Sequence, residues 1–322
     1  MKAAIMYQNR AVPAYADVPA PVTTQDDELL VTVKAVAIKH YDKGRASGKH
    51  YSADAPGENG RIVGGDGVCL LPDGTRVYGM GNGMMAEKAV INKHRMVPIP
   101  AGLDDATAAA LPNAVIGSAM GLKYKAAIQP GDVVLVNGAT GFTGSVAVQL
   151  AKYYGAGKVI VTGRNKQSLD ALSTLGADIA ISLLQEEQEI KKQLKTIHTA
   201  TPVDIVIDYL WGRSAEIILD SIRGDGTFTN RIRYVSVGSM AGDLIQLSSA
   251  ILRSVNIQLT GSGLGSWPVE QVALLFSEIL PETFQLAADG KLVTNTAAIP
   301  LQHISSIWDS TAPDGGRFVV II

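Results

Sequence analysis

Residues 136–151 read VNGATGFTGSVAVQLA, and they restrict the fold more tightly than any other part of the chain. Three glycines, Gly138, Gly141 and Gly144, follow an apolar run, DVVLVNG at 132–138, and lead into a segment with helical spacing. In TGSVAVQLAKYYG (143–155), Val146, Ala147, Leu150, Ala151 and Tyr154 share one helical face. Glycine lets the chain turn sharply where a strand ends. It also lets the backbone approach a pyrophosphate, which then rests on the outward N–H groups of the helix N-terminus. A lone glycine triplet is weak, and a tight structural turn is the competing reading. Here a strand precedes the turn, a helix follows it and a second strand comes next, which is the context of a dinucleotide fingerprint. On that reading Gly138, Ala139, Thr140, Gly141, Phe142, Thr143 and Gly144 bind a cofactor.

The same alternation runs on. Strand-like KVIVTGR (158–164), IAISL (179–183), VDIVIDYL (203–210), YVSVGS (234–239) and NIQLTGSG (256–263) are separated by helical patterns at NKQSLDALSTLG, 185–197 and SAEIILDSI. Apolar strands between amphipathic helices predict an α/β domain built on a doubly wound parallel sheet, covered on both faces. Residues 1–112 differ. Short β-type runs at 2–7, 29–38, 61–71, 75–80 and 88–92 are punctuated by Gly, Pro and Asp, predicting a mainly β domain. After Trp267 come one helix, PVEQVALLFSEIL, and a strand, RFVVII, too little for a third domain. The expected division is 1–112 completed by 265–322, with 113–264 as the cofactor domain.

A net charge of −2 and a pI of about 6.2 leave no basic field for nucleic acid. The single cysteine, Cys69, forms neither an internal disulfide nor a cysteine metal cluster. The N-terminal apolar run is short for a signal peptide and no segment is long enough to span a bilayer, so the expectation is a soluble cytoplasmic protein with no membrane partner.

The second strand of the cofactor unit ends VTGRN (161–165). NAD sites usually carry an acid there for the ribose 2′-OH. This chain has Gly163, Arg164 and Asn165, with room and a guanidinium for a 2′-phosphate, so NADPH is expected. A solvated surface charge is the plain alternative for Arg164. Val237, Gly238 and Ser239 end a later strand at the carboxyl edge, where ligands bind in such sheets. Ser262, in the turn GSGLGS (261–266), is a candidate for the nicotinamide carboxamide, against a plain turn. Asn113, at the crossing between domains, is a candidate for the nicotinamide ribose or the substrate.

Residues 38–51, IKHYDKGRASGKHY, hold His40, Tyr41, Asp42, His50 and Tyr51 among four basic side chains. Histidines beside a carboxylate fit a metal site; tyrosines and cations fit a pocket for a polar or planar ligand.

LPNA (111–114), QPGDVVLVNGATGFTGSVAVQLAK, GAGKVIVTGRN, VSVGS (235–239) and GSGLGS together make nearly the whole chain resemble the medium-chain dehydrogenase/reductase superfamily. Within it the chain is most similar to the zinc-free quinone oxidoreductase group. The resemblance implies a GroES-like catalytic domain, a Rossmann NADP-binding domain and a homodimer formed through the edge strand near 256–263. Zinc-dependent members carry Cys-His-Thr/Ser-Asp where this chain has Lys39-His40-Tyr41-Asp42. They carry Gly-His-Glu where it has Gly64-Gly65-Asp66-Gly67. Two of three catalytic ligands are replaced, so no metal is expected. Zinc-free members show Asn-x-x-Asp, then Arg-x-Gly-x-Tyr; Asp42, Arg45, Gly48 and Tyr51 echo this, while Lys39 replaces the Asn.

Without a metal, hydride goes to acceptors that are already electrophilic, quinones or activated enones, with donors stabilising charge on a carbonyl oxygen. Tyr51, by resemblance, and Lys39 are the candidate catalytic donors. Loop-edge packing for Tyr51 and solvent exposure for Lys39 are the alternatives. His40 and Tyr41 are candidates for the cofactor face or for packing, and Asp42 for capping a short helix. A non-catalytic NADPH-binding sensor or interaction protein is the rival from another class, and an aldehyde or ketone reductase the rival enzyme.

Overall fold

The computed structural model describes all 322 residues except Asn9, Lys49, Tyr51, Ser52, 54–59 and Phe228. The chain forms two compact units, Met1–Asn113 with Phe276–Ile322, and Ala114–Leu275.

In the first unit the turn-punctuated runs become β1 (Lys2–Met6), β2 (Ala14–Asp17), β3 (Glu28–Ala37), β4 (Arg61–Ile62), β5 (Asp66–Leu70), β6 (Arg76–Asn82) and β7 (Lys88–Pro98). A short helix, α1 (His40–Ala46), follows β3. The run 61–71, which reads as one strand, is split into β4 and β5. Gly64 takes a φ of +94° there, a conformation few other residues adopt. β3 is the hub. Its first half pairs antiparallel with β7 and its middle with β5. Because β5, β6 and β7 are consecutive neighbours, the sheet closes on itself and leaves little free edge. Val31, Val33, Cys69, Val77 and Ile91 fill its interior.

A helix not evident from periodicity follows: α2 (Asp105–Val115) runs straight into a π-helical stretch, Ile116–Lys125. Residues 108–111 and 117–122 are buried, so the sequence shows no polar stripe opposite an apolar one. Pro112 and two glycines also read as breakers. One of them, Gly117, is needed for contact: a Cβ there would lie 2.6 Å from Val237 Cγ1.

The second unit is built on a parallel sheet ordered β10-β9-β8-β11-β12-β13. The strands are β8 (Val133–Asn137), β9 (Lys158–Gly163), β10 (Ile179–Ser182), β11 (Ile205–Asp208), β12 (Ile232–Ser236) and β13 (Ile257–Gly261). The connecting helices are α3 (Phe142–Tyr153), α4 (Lys166–Ala171), α5 (Glu187–Ala200), α6 (Gly212–Ser221) and α7 (Ser249–Ser254). β8 and β9 run outward in one direction of the order, β11 to β13 in the other. The reversal falls between β8 and β11, where a doubly wound sheet opens a crevice beyond its carboxyl ends. Leu135, Ile160 and Val206 are wholly buried, as strands covered on both faces require.

The tail returns to the first unit. β15 (Arg317–Ile321) pairs antiparallel with the end of β3 and parallel with β14 (Thr296–Pro300). Among the described residues, no helix is long and apolar enough to cross a membrane.

Candidate functional site

The phosphate-type turn leaves β8 at Gly138, whose φ is +87°. Gly141 then caps α3 in an extended conformation with no capping side chain. A Cβ on Gly141 would meet nothing within 4 Å, so the space before the helix is open. Gly144 plays the opposite part: a Cβ there would lie 2.5 Å from Gly138 O and 2.6 Å from Ala139 Cα. Its absence lets the first turn of α3 sit directly on the loop. Gly163 is equally tight, since a Cβ would come within 2.3 Å of Thr140 Cγ2. The turn, the helix N-terminus and the end of β9 therefore form one open cradle, the kind of place where helix N–H groups can receive an anion.

Arg164 is exposed at the end of β9, while neighbouring Lys166 pairs with Asp170 at 2.7 Å. Asn165 is engaged locally: its side-chain oxygen accepts from Ser168 N at 2.9 Å and caps α4. Val237, Gly238 and Ser239 follow β12 at the carboxyl edge, and Val237 N–H donates to Asp208 O at 2.7 Å. Ser262 N–H donates to Ser236 O at 2.8 Å, yet its Oγ is buried with no hydrogen-bond partner among the described residues. A buried hydroxyl without a partner marks a place that a ligand amide or carbonyl can satisfy. Asn113 lies half-buried in α2, next to the boundary between the units. These features fit a nicotinamide dinucleotide: a glycine cradle, an open helix N-terminus, a guanidinium on the second strand and an orphaned hydroxyl.

Motif spacing did not reveal a buried network beneath the cradle. Asn137, Thr162 and Asp208 have no exposed surface. Asn137 Nδ2 donates to Asp208 Oδ1 at 2.7 Å, and Thr162 Oγ1 donates to Asn137 Oδ1 at 2.6 Å. Tyr234 OH donates to Asp208 Oδ2 at 2.6 Å. Burial raises the Asp208 carboxyl above its ordinary range, and the donors around it oppose that rise. Its trace in the sequence is a polar residue at or next to the end of three strands: Asn137 in β8, Thr162 in β9 and Asp208 in β11.

In the first unit the structure corrects the reading of Lys39. Its side chain is 2% exposed and faces neither solvent nor an open pocket. The ammonium bonds Asp66 Oδ1 and lies 3.4 Å from Asp42 Oδ2. Tyr78 OH donates to the other Asp66 oxygen at 2.7 Å. Two buried carboxylates need a counter-charge, which the Lys39 ammonium provides, with Arg317 also acting on Asp42. Burial lowers the Lys39 pKa, with Asp42 opposing and Arg317 reinforcing the shift. Burial pushes the Tyr78 phenol well above its ordinary value, so it stays protonated and donates to Asp66. Asp42 has the local role expected of it: Oδ2 accepts from Lys39 N at 3.1 Å and holds the first turn of α1.

α1 then presents His40 and Tyr41. His40 is exposed; desolvation lowers its pKa, and Lys43 and Arg317 add to that. Tyr41 packs edge-on to His50 with centroids 5.0 Å apart. Tyr51, the other candidate donor, lies outside the described residues. Among those described, no group of three His, Cys, Asp or Glu side chains is placed to hold a metal ion.

Residues 143–279 match a family described as zinc-binding dehydrogenase, a match that excludes the Lys39 cluster. A probable NADPH-dependent quinone reductase of Emericella nidulans is 26% identical over 96% of both chains. A quinone oxidoreductase-like protein 2 homologue of Nematostella vectensis is 30% identical, over 71% of this chain and 60% of its own length. Among solved structures, the quinone oxidoreductase of Thermus thermophilus, also crystallised as its complex with NADPH, superposes with a TM-score of 0.80. It is 24% identical, with all of both chains covered.

The ion cluster makes a stability prediction. Lys39→Met takes the ion-pair partner from buried Asp66 and should cost about 3–5 kcal/mol, read as a lower urea midpoint at unchanged slope. Adding Asp66→Asn should recover part of that loss. A Lys39→Met protein of wild-type stability would show that the ammonium is not the counter-charge.

Proposed function

Because the chain belongs to the medium-chain dehydrogenase/reductase superfamily, in its quinone oxidoreductase-like group, we propose that it reduces a quinone or an activated enone with NADPH. The observation that carries this reading is the glycine cradle at 138–144, joined at Gly163 to an exposed Arg164 with no acid in the ribose-reading position. NADPH, when bound, supplies the hydride. The chain binds and orients it. The backbone of Ala139–Thr143 and the α3 N-terminus receive the pyrophosphate, where the helix dipole favours negative charge. Gly163 leaves room for the 2′-phosphate and Arg164 pairs with it. Ser262 Oγ is the partner for the carboxamide, Val237, Gly238 and Ser239 line the crevice, and Asn113 serves the nicotinamide ribose or the substrate.

In this reading the first unit is the catalytic domain and the second the NADP-binding domain. Tyr51 is the proposed donor to the acceptor's carbonyl oxygen. Lys39 is a positioning residue: through Asp42 and Asp66 it pins the start of α1, which carries His40 and Tyr41. The reaction is proposed to be zinc-independent, because a lysine and a glycine occupy the places of two ligands and the lysine is bound to carboxylates. That restricts acceptors to carbonyl compounds whose electrophilicity needs no Lewis acid.

Purified protein should oxidise NADPH with benzoquinone or naphthoquinone and keep its rate after chelation. Loss of turnover on chelation refutes the metal-free reading. Tight NADPH binding with no turnover across a quinone and enone panel would favour a sensor instead. Arg164→Ala should raise the KM for NADPH about tenfold or more and leave that for NADH unchanged. An unaltered NADPH/NADH preference removes the 2′-phosphate assignment. Among the described residues β13 pairs only with β12, and its other edge is the proposed homodimer contact. Elution of the protein as a monomer in gel filtration counts against that contact.

A further inference from the structure

We propose that Asp208 is a positioning residue that sets the shape of the cofactor cradle from beneath, by tying together the loops that leave β8, β11 and β12. The proposal rests on the NADPH reading for its ligand, but the coupling it describes is a property of the free protein.

Asp208 ends β11, beside the point where the strand order reverses. A carboxylate with no exposed surface is costly unless its lone pairs are satisfied. Here all the donors are neutral, and they come from β8, from β12 and from the loop after β11. Oδ1 accepts from Asn137 Nδ2, from Leu210 N at 2.9 Å and from Trp211 N at 3.1 Å. Oδ2 accepts from Tyr234 of β12. The Asp208 carbonyl accepts from Val237 N at 2.7 Å and Gly238 N at 3.2 Å. One residue thus holds the end of β8, its own loop and the loop after β12.

Two routes lead from it to the cradle. The first is a hydrogen-bond relay with fixed polarity. Asn137 donates to Asp208 and, at 3.0 Å, to Ser214 Oγ, so its oxygen must face the other way. It receives the Thr162 hydroxyl proton, which turns a Thr162 lone pair toward Gly138 N–H at 3.1 Å. Gly138 is the first residue of the cradle. The second route is steric. Leu210, held through its N–H, lies over Gly138 so closely that a Cβ there would be 2.8 Å from Leu210 Cγ.

Backbone strain points to the same residue. Trp211 has φ +56° and ψ −151°, and Gly212 follows with φ +54°. Such a conformation at tryptophan persists only where its surroundings over-determine it, as at ligand-gripping loops. Asp208 Oδ1 holds the Trp211 N–H, and Ala241 N–H donates to Leu210 O at 2.8 Å, which joins this loop to the one after β12.

The test compares Asp208→Ala, Asp208→Asn and Thr162→Val. Thr162→Val cuts the relay at its last link and leaves Asp208 in place. Asn can present its carbonyl to the Oδ1 donors and its amide to Tyr234, whose hydroxyl can accept. Amide hydrogen exchange in the free protein should quicken at 138–144 in Asp208→Ala and Thr162→Val, and also at 209–212 in Asp208→Ala. Asp208→Asn should stay close to wild type. NADPH dissociation constants should rise about tenfold in the first two, while 2′-AMP, which lacks the pyrophosphate, binds unchanged. The rate at saturating NADPH should hold, and the double variant should be no worse than the weaker single one.

Faster exchange confined to 209–212, or NADPH affinity untouched in Thr162→Val, overturns the proposal. If Asp208→Ala does not fold, Thr162→Val and Tyr234→Phe decide the question by the same exchange measurement. If the wild type binds no NADPH, the cofactor reading fails while the exchange data still decide the coupling.

Discussion

The second unit's cradle depends on the contact between the first turn of α3 and the turn leaving β8. No side chain fits at Gly144, because the Gly138 carbonyl and Ala139 occupy the place of its Cβ. With that contact made, the helix N-terminus lies directly behind the loop, and its dipole and N–H groups face the open space at Gly141. A second close approach, Gly163 against Thr140, brings the end of β9 to the same spot. Arg164 thereby stands beside the cradle. The glycines act by what they permit to approach, and the polar chemistry is done by backbone and by residues from neighbouring strands.

Each unit buries carboxylates, and each satisfies them differently. In the first, Asp42 and Asp66 are met by the Lys39 ammonium and the Tyr78 hydroxyl, an ionic solution that pins α1 to the barrel. Removing one member leaves an uncompensated charge, so such clusters are intolerant of single changes. In the second, Asp208 has only neutral donors, and its burial is offset by hydrogen bonds from β8, β12 and its own loop. That arrangement makes it a junction between segments, since its donors are two backbone N–H groups and the buried side chains of Asn137 and Tyr234. Neither cluster needs to touch a bound molecule to matter for the proposed reaction, because each fixes the backbone around it.

Legibility in the sequence followed the range of the interactions. The parallel sheet was readable because each strand and helix carries its own periodicity, and the glycine turn because a strand precedes it and a helix follows. The helix at 105–125 was not, because a helix buried all round has no stripe and Pro112 reads as a stop. The division of 61–71 into two strands depends on the left-handed backbone at Gly64, which a run of apolar residues conceals. Lys39 was misread for a related reason. A lysine after a strand looks solvent-facing, and the two acids that draw it inward are three and twenty-seven residues away.

By itself, the sequence determined the class of fold, the position of the glycine turn between β8 and α3 and the absence of an acid at the end of the next strand. These depend on residues adjacent in the chain, where backbone sterics and periodicity act locally. Only the tertiary structure decided where the buried charges point. It showed Lys39 paired with buried acids, left Ser262 Oγ without a hydrogen-bond partner among the described residues and placed Asp208 among donors from β8, β12 and its own loop. Burial is set by what packs from distant segments. The direction of a polar side chain follows from which partners share its low-dielectric surroundings.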